Sequence, residues 1–325
     1  MPNNLKKNVL LIGATQMAID YYNVLKTLNC NITVVGKSTN NAKVFFDKTG
    51  CDVLTGGVEL FLKNNTSHFD AAIIAVGIEV LAATAMQLIN ANFKHILIEK
   101  PASIDLNELK DLANLAKKNN ANLLIAYNRR FLASVLAAKQ IIQKDGGVIS
   151  FNFEFTEWAH TIEPLIKKKG IKKNWLIANS THVIDLAFYL GGKPTNICSF
   201  TSGKLSWHDK AIFSGAGKTN YNALFSYQAN WMAPGRWAIE ILTLNSRLIL
   251  KPLEELQIQL KGSVAINKVQ INNEFDVKFK PGLYEQTNCF LNQNYSSFIT
   301  IDDQVEMFKI YKIIAEGNAN TINLN

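Results

Sequence analysis

Residues 1–150 carry the pattern that most narrows the fold: short unbroken apolar runs alternate there with stretches of helical periodicity. Asn8-Val-Leu-Leu-Ile12 ends at Gly13, after which Met17, Tyr21, Val24 and Leu25 recur at helical spacing. Ile32–Val35, Ala71–Val76, His95–Ile98 and Leu123–Ala126 are four further runs. Helical patterns follow them: through Phe46, from Glu79 to Asn92, over Leu106–Lys118 with Asp105 as its N-cap, and over Phe131–Gln143. A strand covered on both faces reads as a continuous apolar run, and a helix between successive strands is the crossover that a parallel sheet requires. The pattern predicts an N-terminal α/β domain with a doubly wound, Rossmann-type parallel sheet.

From Gly146-Gly147 the period changes to two. Ile149, Phe151, Phe153 and Phe155 alternate with polar residues, as do Ala223 to Trp231 and Trp237 to Ile241. Phe275, Val277 and Phe279 repeat the alternation and are read as one more strand. A helix is expected over about Ser180–Leu190, and a last one over about Asp303–Glu316. Half-buried strands of this kind build a large, mostly antiparallel open sheet, so the C-terminal part reads as an α+β domain. A chain of 325 residues exceeds what one core serves, roughly 250–300 residues. The expected division is 1–127 for the first domain and 128–325 for the second.

Composition excludes other classes. With 48% hydrophobic and 18% charged residues, the chain is too apolar to be disordered. No apolar run approaches the ~18 residues of a membrane span. Lys6-Lys7 and Val9–Ile12 imitate a signal peptide, but the run is too short and meets Gly13 and Asp20; a cytoplasmic protein without membrane contact is expected. The four cysteines are far apart in sequence, which predicts neither a disulfide framework nor a metal site, only small buried side chains. The net charge of +8 raises nucleic acid as a partner. The basic residues are dispersed, however, and the densest group, Lys167–Lys169 with Lys172 and Lys173, belongs to no nucleic-acid motif. That group reads as a solvated face or as a rim attracting an anionic small molecule, and no nucleic-acid partner is expected.

The first strand–helix turn reads Gly13-Ala14-Thr15-Gln16-Met17-Ala18. A dinucleotide fingerprint needs glycine for the tight turn and a small residue for helix packing, which Gly13 and Ala18 supply; Thr15 replaces the middle glycine. The turn predicts a nucleotide at the helix N-terminus. After the second strand, Gly36-Lys37-Ser38 offers donors where an NAD site places a carboxylate, which favours NADP over NAD; an exposed loop lysine is the alternative for Lys37.

The strand at 95–98 runs into Glu99-Lys100-Pro101. That motif, with Tyr127-Asn128-Arg129-Arg130-Phe131 and His182-Val-Ile-Asp185-Leu-Ala, resembles the glucose–fructose oxidoreductase/inositol dehydrogenase (Gfo/Idh/MocA) family. The resemblance implies an NAD(P)-dependent oxidoreductase acting on a secondary alcohol or ketone of a sugar or nucleotide sugar. It implies that Lys100 contacts the reacting hydroxyl and that His182 transfers a proton. The expected cofactor site comprises Gly13, Thr15, Gln16, Met17, Lys37, Ser38, Val76, Glu99, Lys100 and Pro101. The expected substrate site comprises Tyr127, Asn128, Arg129, Asn179 and Trp175, with no metal.

Physical chemistry points the same way. A cation stabilises a developing alkoxide, and Lys100 stands at the C-terminal end of a strand, where doubly wound sheets bind ligands. Asn179-Ser180-Thr181 reads as a capping cluster, which would put His182 in a helix's first turn, where the dipole disfavours imidazolium. Two departures from the family stand out: Ala178 occupies the place of an acidic residue four positions before the histidine, and Val76-Gly77-Ile78 replaces a Thr-Pro pair. They leave open net elimination or glycoside cleavage on a recycled cofactor, and a non-catalytic sugar or nucleotide sensor. Ser214–Thr219 imitates a phosphate loop but lies among alternating strands. A homodimer or homotetramer formed through the second sheet is expected.

Overall fold

A computed structural model describes residues 6–324. Six parallel strands form the first sheet: β1 (Asn8–Ile12), β2 (Asn31–Val35), β3 (Val53–Leu54), β4 (Ala71–Ile74), β5 (His95–Glu99) and β6 (Asn122–Ala126). Their spatial order is 3-2-1-4-5-6, with the short strand Ile299–Thr300 added antiparallel to β6. Crossover helices α1 (Gln16–Thr27), α2 (Thr39–Thr49), α3 (Gly57–Asn64), α4 (Leu81–Asn90) and α5 (Leu106–Lys118) connect the parallel strands. The chain order reverses at β1, the switch point outside which such sheets bind ligands. Val9, Leu10, Leu11, Ala72, Ile73, Ile96, Leu97 and Ile98 are fully or almost fully buried, as runs covered on both faces require. Asp105 caps α5 by accepting from the backbone N–H groups of Asn107 and Glu108.

The described residues up to Asn128 form one unit with Phe275–Val305; Arg129–Glu274 and the residues from Glu306 onward form another. Within the first unit, the helix Leu283–Leu291 packs on α1.

The second unit holds a nine-stranded sheet. Its strands include β7 (Ser150–Glu154), β8 (Pro194–Ser202), β9 (Ile212–Thr219), β10 (Leu224–Asn230), β11 (Ala238–Leu242), β12 (Ser246–Leu250), β13 (Gln257–Leu260) and β14 (Ile266–Lys268). They run in the order 14-13-12-11-7-10-9-8, and the C-terminal strand Asn318–Asn323 pairs with β8. Among the described residues of this sheet only β7 and β10 pair in parallel; the other pairings are antiparallel. The fold is therefore mixed α/β, with a parallel Rossmann sheet and a mostly antiparallel second sheet. Phe151, Phe153, Phe225 and Tyr227 stack across neighbouring strands, and Phe188 of the helix Thr181–Gly191 meets Phe151, Phe153 and Phe225 edge-on. The helix sits close because residue 191 has no side chain: a Cβ at Gly191 would lie 2.2 Å from Phe151.

Three expectations are corrected. The alternating Phe275, Val277 and Phe279 lie in and just beyond a short helix, Glu274–Lys278. Phe275 and Phe279, four apart, both stack on Tyr284, and Asn272 Oδ1 accepts from the Glu274 N–H at the helix start. The cysteines are half-buried rather than core residues. The helix carrying His182 begins earlier than the capping cluster, as described below. Among the described residues no helix is long and apolar enough to cross a membrane, and no three His, Cys, Asp or Glu side chains gather as a metal cluster would need. Ser214–Thr219 is part of the strand β9.

Candidate functional site

In the first unit, β1 ends at Gly13, whose N–H donates to Val35 O at 2.8 Å. Its φ is +128°, and a Cβ there would stand 2.2 Å from the Ala75 carbonyl oxygen. Only glycine fits this turn. Thr15 precedes α1 in extended conformation with no side-chain cap bond; uncapped leading N–H groups of a helix suit an anion in general. Gln16 is tied down, donating to Asp20 Oδ1 and accepting from Lys48 Nζ at 2.8 and 2.9 Å. Met17 Sδ lies 3.0 Å from Lys280 Nζ. Ser38 caps α2 through Asn41 N–H, while Lys37 is exposed and its ammonium makes no hydrogen bond or ion pair among the described residues. Val76 is half-buried beyond the end of β4.

Glu99 and Lys100 lie at the C-terminal end of β5. Tyr21 of α1 is buried and donates from its hydroxyl to Glu99 Oε1 at 2.9 Å. With its amide nitrogen toward that hydroxyl at 3.3 Å, Gln286 also accepts from the backbone N–H groups of Tyr127 and Asn128 at 3.3 and 3.1 Å. Burial pushes the Glu99 carboxyl above its ordinary value, against the pull of Lys100, Lys280 and the Tyr21 hydroxyl. Burial and the Glu99 charge push the Tyr21 phenol well up. The Tyr21 hydroxyl and the charges of Lys100 and Lys280 thus favour the ionised Glu99 carboxyl while its burial opposes it. Pro101 O accepts from Gln304 Nε2 at 3.0 Å, and the same nitrogen lies 3.3 Å from the Tyr127 hydroxyl. Asn128 Nδ2 donates to Pro281 O at 2.8 Å. The side chains of Tyr127 and Asn128 are thus engaged inside this unit.

In the second unit, backbone helical geometry is already present at Trp175, and a π-helical turn, Leu176–Ser180, leads into Thr181–Gly191. His182 is therefore not in a first turn, which removes the dipole argument for a neutral imidazole. The capping side chains are spent elsewhere. Thr181 Oγ1 donates back to Ile177 O, while Ser180 Oγ and Asn179 Nδ2 donate to Glu157 Oε1 at 2.7 and 2.9 Å. Glu157 is 2% exposed, and a buried carboxylate outcompetes a helix end for these donors. Arg236 Nη1 lies 3.7 Å from Glu157 Oε2, with the guanidinium over the rings of Trp158 and Trp237, 4.8 Å from each. The ring of His182 is 5.8 Å from that of Trp237. Trp175 is buried edge-on against Trp207. Arg129 pairs with Glu254 at 3.1 Å, and Arg130 grips the fully buried Asp185 with two bonds of 2.7 and 2.6 Å. Lys167, Lys168 and Lys169 are exposed.

The structure thus gathers Gly13, Thr15, Gln16, Met17, Glu99, Lys100 and Pro101 around the C-terminal edge of the first sheet, and Asn179 and His182 around Glu157 and Trp237 in the second unit. Sequence reasoning missed Tyr21, Lys280, Gln286, Glu157, Arg236 and Trp237. Tyr21 was visible only as a helix-face apolar residue and Trp237 only as a member of an alternating run, and the others carry no local motif.

Residues 7–127 match the family model described as an oxidoreductase family with an NAD-binding Rossmann fold. An uncharacterized oxidoreductase of Schizosaccharomyces pombe is 31% identical over 143 residues, 40% of this chain and 36% of that protein; the match spans about a third of the relative's length. Levoglucosan dehydrogenase in complex with NADH and L-sorbose superposes with a TM-score of 0.80 at 18% identity, covering 98% of this chain and 99% of that one. UDP-N-acetylglucosamine 3-dehydrogenase from Acidithiobacillus ferrooxidans gives 0.75 at 14%, covering 96% and 97%. These structural likenesses establish the fold.

Proposed function

We propose, from the match of residues 7–127 to the oxidoreductase family with an NAD-binding Rossmann fold, that the protein is an NAD(P)-dependent dehydrogenase or reductase. Its substrate is a secondary alcohol or ketone of a sugar or nucleotide sugar. Residues 1–127 hold the dinucleotide, and residues of 128–325 hold the substrate. The observation that carries this reading is the edge of the first sheet. There, a glycine-only turn and an uncapped helix N-terminus lie on the same side as Glu99-Lys100-Pro101.

Those residues suit a dinucleotide: the turn admits close backbone approach, and the helix end favours pyrophosphate. A bound nicotinamide supplies the hydride acceptor or donor. Lys100 stabilises the alkoxide that develops on the reacting oxygen, and His182 exchanges the proton. Tyr21 and Gln286 fix Glu99, and Glu99 in turn sets the field at Lys100. NADP is favoured because Lys37 and Ser38 follow β2 and no carboxylate does. The levoglucosan and UDP-N-acetylglucosamine dehydrogenases of the same fold support sugars and nucleotide sugars as the substrate class. Association into a dimer or tetramer is supported by exposed Phe200, Leu224, Leu242, Leu260 and Ile266 on strands of the second sheet.

The test is turnover of a sugar panel with NAD+ and NADP+, read as reduced-nicotinamide absorbance. Lys100→Ala should lower kcat by about 10²–10³, the usual cost of removing one charge-stabilising group. Activity that survives Lys100→Ala unchanged would refute the assignment.

A further inference from the structure

Arg236 is held as a binding group is held, and nothing in the mechanism above uses it. Its guanidinium stands over two indoles, 4.8 Å from each. Trp158 is itself fixed, its Nε1 donating to Gly235 O at 2.8 Å. The nearby carboxylate does not consume the fork. Glu157 takes its short bonds from Ser180 and Asn179, and Arg236 stays at 3.7 Å, beyond hydrogen-bond distance. Among the described residues no hydrogen bond engages any of the five N–H donors of Arg236, and its side chain is 46% exposed. A second donor, the buried Trp237 Nε1, also has no acceptor among the described residues. An arginine whose rotamer is restricted by stacking, yet whose donors remain unspent, loses little entropy on meeting a planar or tetrahedral oxyanion. The indole of Trp237 that Arg236 covers is the one beside His182. Trp237 thus links the two side chains, with Arg236 4.8 Å and the His182 ring 5.8 Å from its ring, so a molecule held at Arg236 has a path toward the histidine.

We propose that Arg236, clamped by Trp158, Trp237 and Glu157, is the specificity-determining residue for an oxyanion on the substrate, making that substrate an acidic or phosphorylated sugar. This rests on the reading of the second unit as the sugar-binding part, and it goes further by fixing the charge of the sugar. Glu157 keeps the guanidinium in place from the buried side and, as a like charge to the substrate, prevents the anion from sliding past it.

The experiment is calorimetric titration of the whole chain, with reduced dinucleotide present, using four probes: galacturonate, glucose 6-phosphate, UDP-glucose and neutral galactose. Wild type should bind one of the three anionic probes at least tenfold more tightly than galactose, and the preferred probe identifies the carboxylate, the monophosphate or the diphosphate. In Arg236→Gln that anionic-to-neutral ratio should fall at least tenfold. Arg236→Lys, which keeps the charge but loses the fork, should recover only part of it. Circular dichroism of both variants checks that the unit remains folded. Equal binding of all four probes, no binding of any anionic probe, or an unchanged ratio in Arg236→Gln would each overturn the proposal. If sugar turnover with cofactor persists under that outcome, only the role of Arg236 has failed. If the dinucleotide itself does not bind, the functional reading fails with it.

Discussion

Gly13→Ala should cost the first unit both stability and dinucleotide affinity. The added Cβ would sit 2.2 Å from the Ala75 carbonyl oxygen and 2.8 Å from its carbon. Ala75 cannot easily yield, because its N–H donates to Ile12 O at 2.8 Å in the ladder between β1 and β4. Holding a non-glycine residue at φ +128° costs about 1–3 kcal/mol, and forcing extra volume into a packed site costs a further ~1–3 kcal/mol. The sum, about 2–6 kcal/mol, is a large part of the ~5–15 kcal/mol that stabilises an ordinary domain. With a urea slope of about 1–3 kcal/mol per molar, the unfolding midpoint followed by far-UV circular dichroism should fall by roughly 1–3 M. Calorimetric titration with NADPH and with NADH should show binding of the preferred cofactor weakened or abolished in parallel. A variant with wild-type midpoint and wild-type affinity would refute the close-approach argument.

Glu99→Gln tests the raised Glu99 carboxyl. Because burial raises the folded-state value, the stability Glu99 contributes is complete below its ordinary value of 4.5 and is lost as pH rises through the raised one. The glutamine variant should therefore flatten the stability profile in the window just above 4.5, measured as urea midpoints across pH. A slope equal to wild type contradicts the shift. Arg130→Met strands Asp185, which is fully buried, and should cost about 3–5 kcal/mol. The double variant Arg130→Met/Asp185→Leu should recover most of that loss, and a double variant as unstable as the single would show that the ion pair is not the source.

Much of the fold was legible because the physics is local. Val9–Ile12 and Ile96–Ile98 had to be covered on both faces, and Asp105 had to cap the helix after it. Phe151 and Phe153 could be assigned to the core face of a strand by alternation alone. Where two local signals competed, the sequence misled: Phe275, Val277 and Phe279 alternate as a strand does, yet Phe275 and Val277 lie in a short helix and the rings of Phe275 and Phe279, four apart, both stack on Tyr284. Asn179-Ser180-Thr181 has capping chemistry, but Glu157, 22 or more residues away in sequence, takes two of the three side chains. Glu99-Lys100-Pro101 was legible as a motif. Its supports were not, because Tyr21 and Gln286 reach Glu99 across 78 residues and the Tyr21 hydroxyl across 265 residues. A comparable separation in sequence hid Arg236 from Glu157. Contacts of this kind leave no periodicity to read.

The proposed hydride transfer is most directly tested by giving the protein a sugar deuterated at its reacting carbon and weighing the nicotinamide afterwards. Deuterium should appear in the released reduced cofactor, one label for each sugar oxidised. Product formed while the cofactor pool stays unlabelled would contradict it.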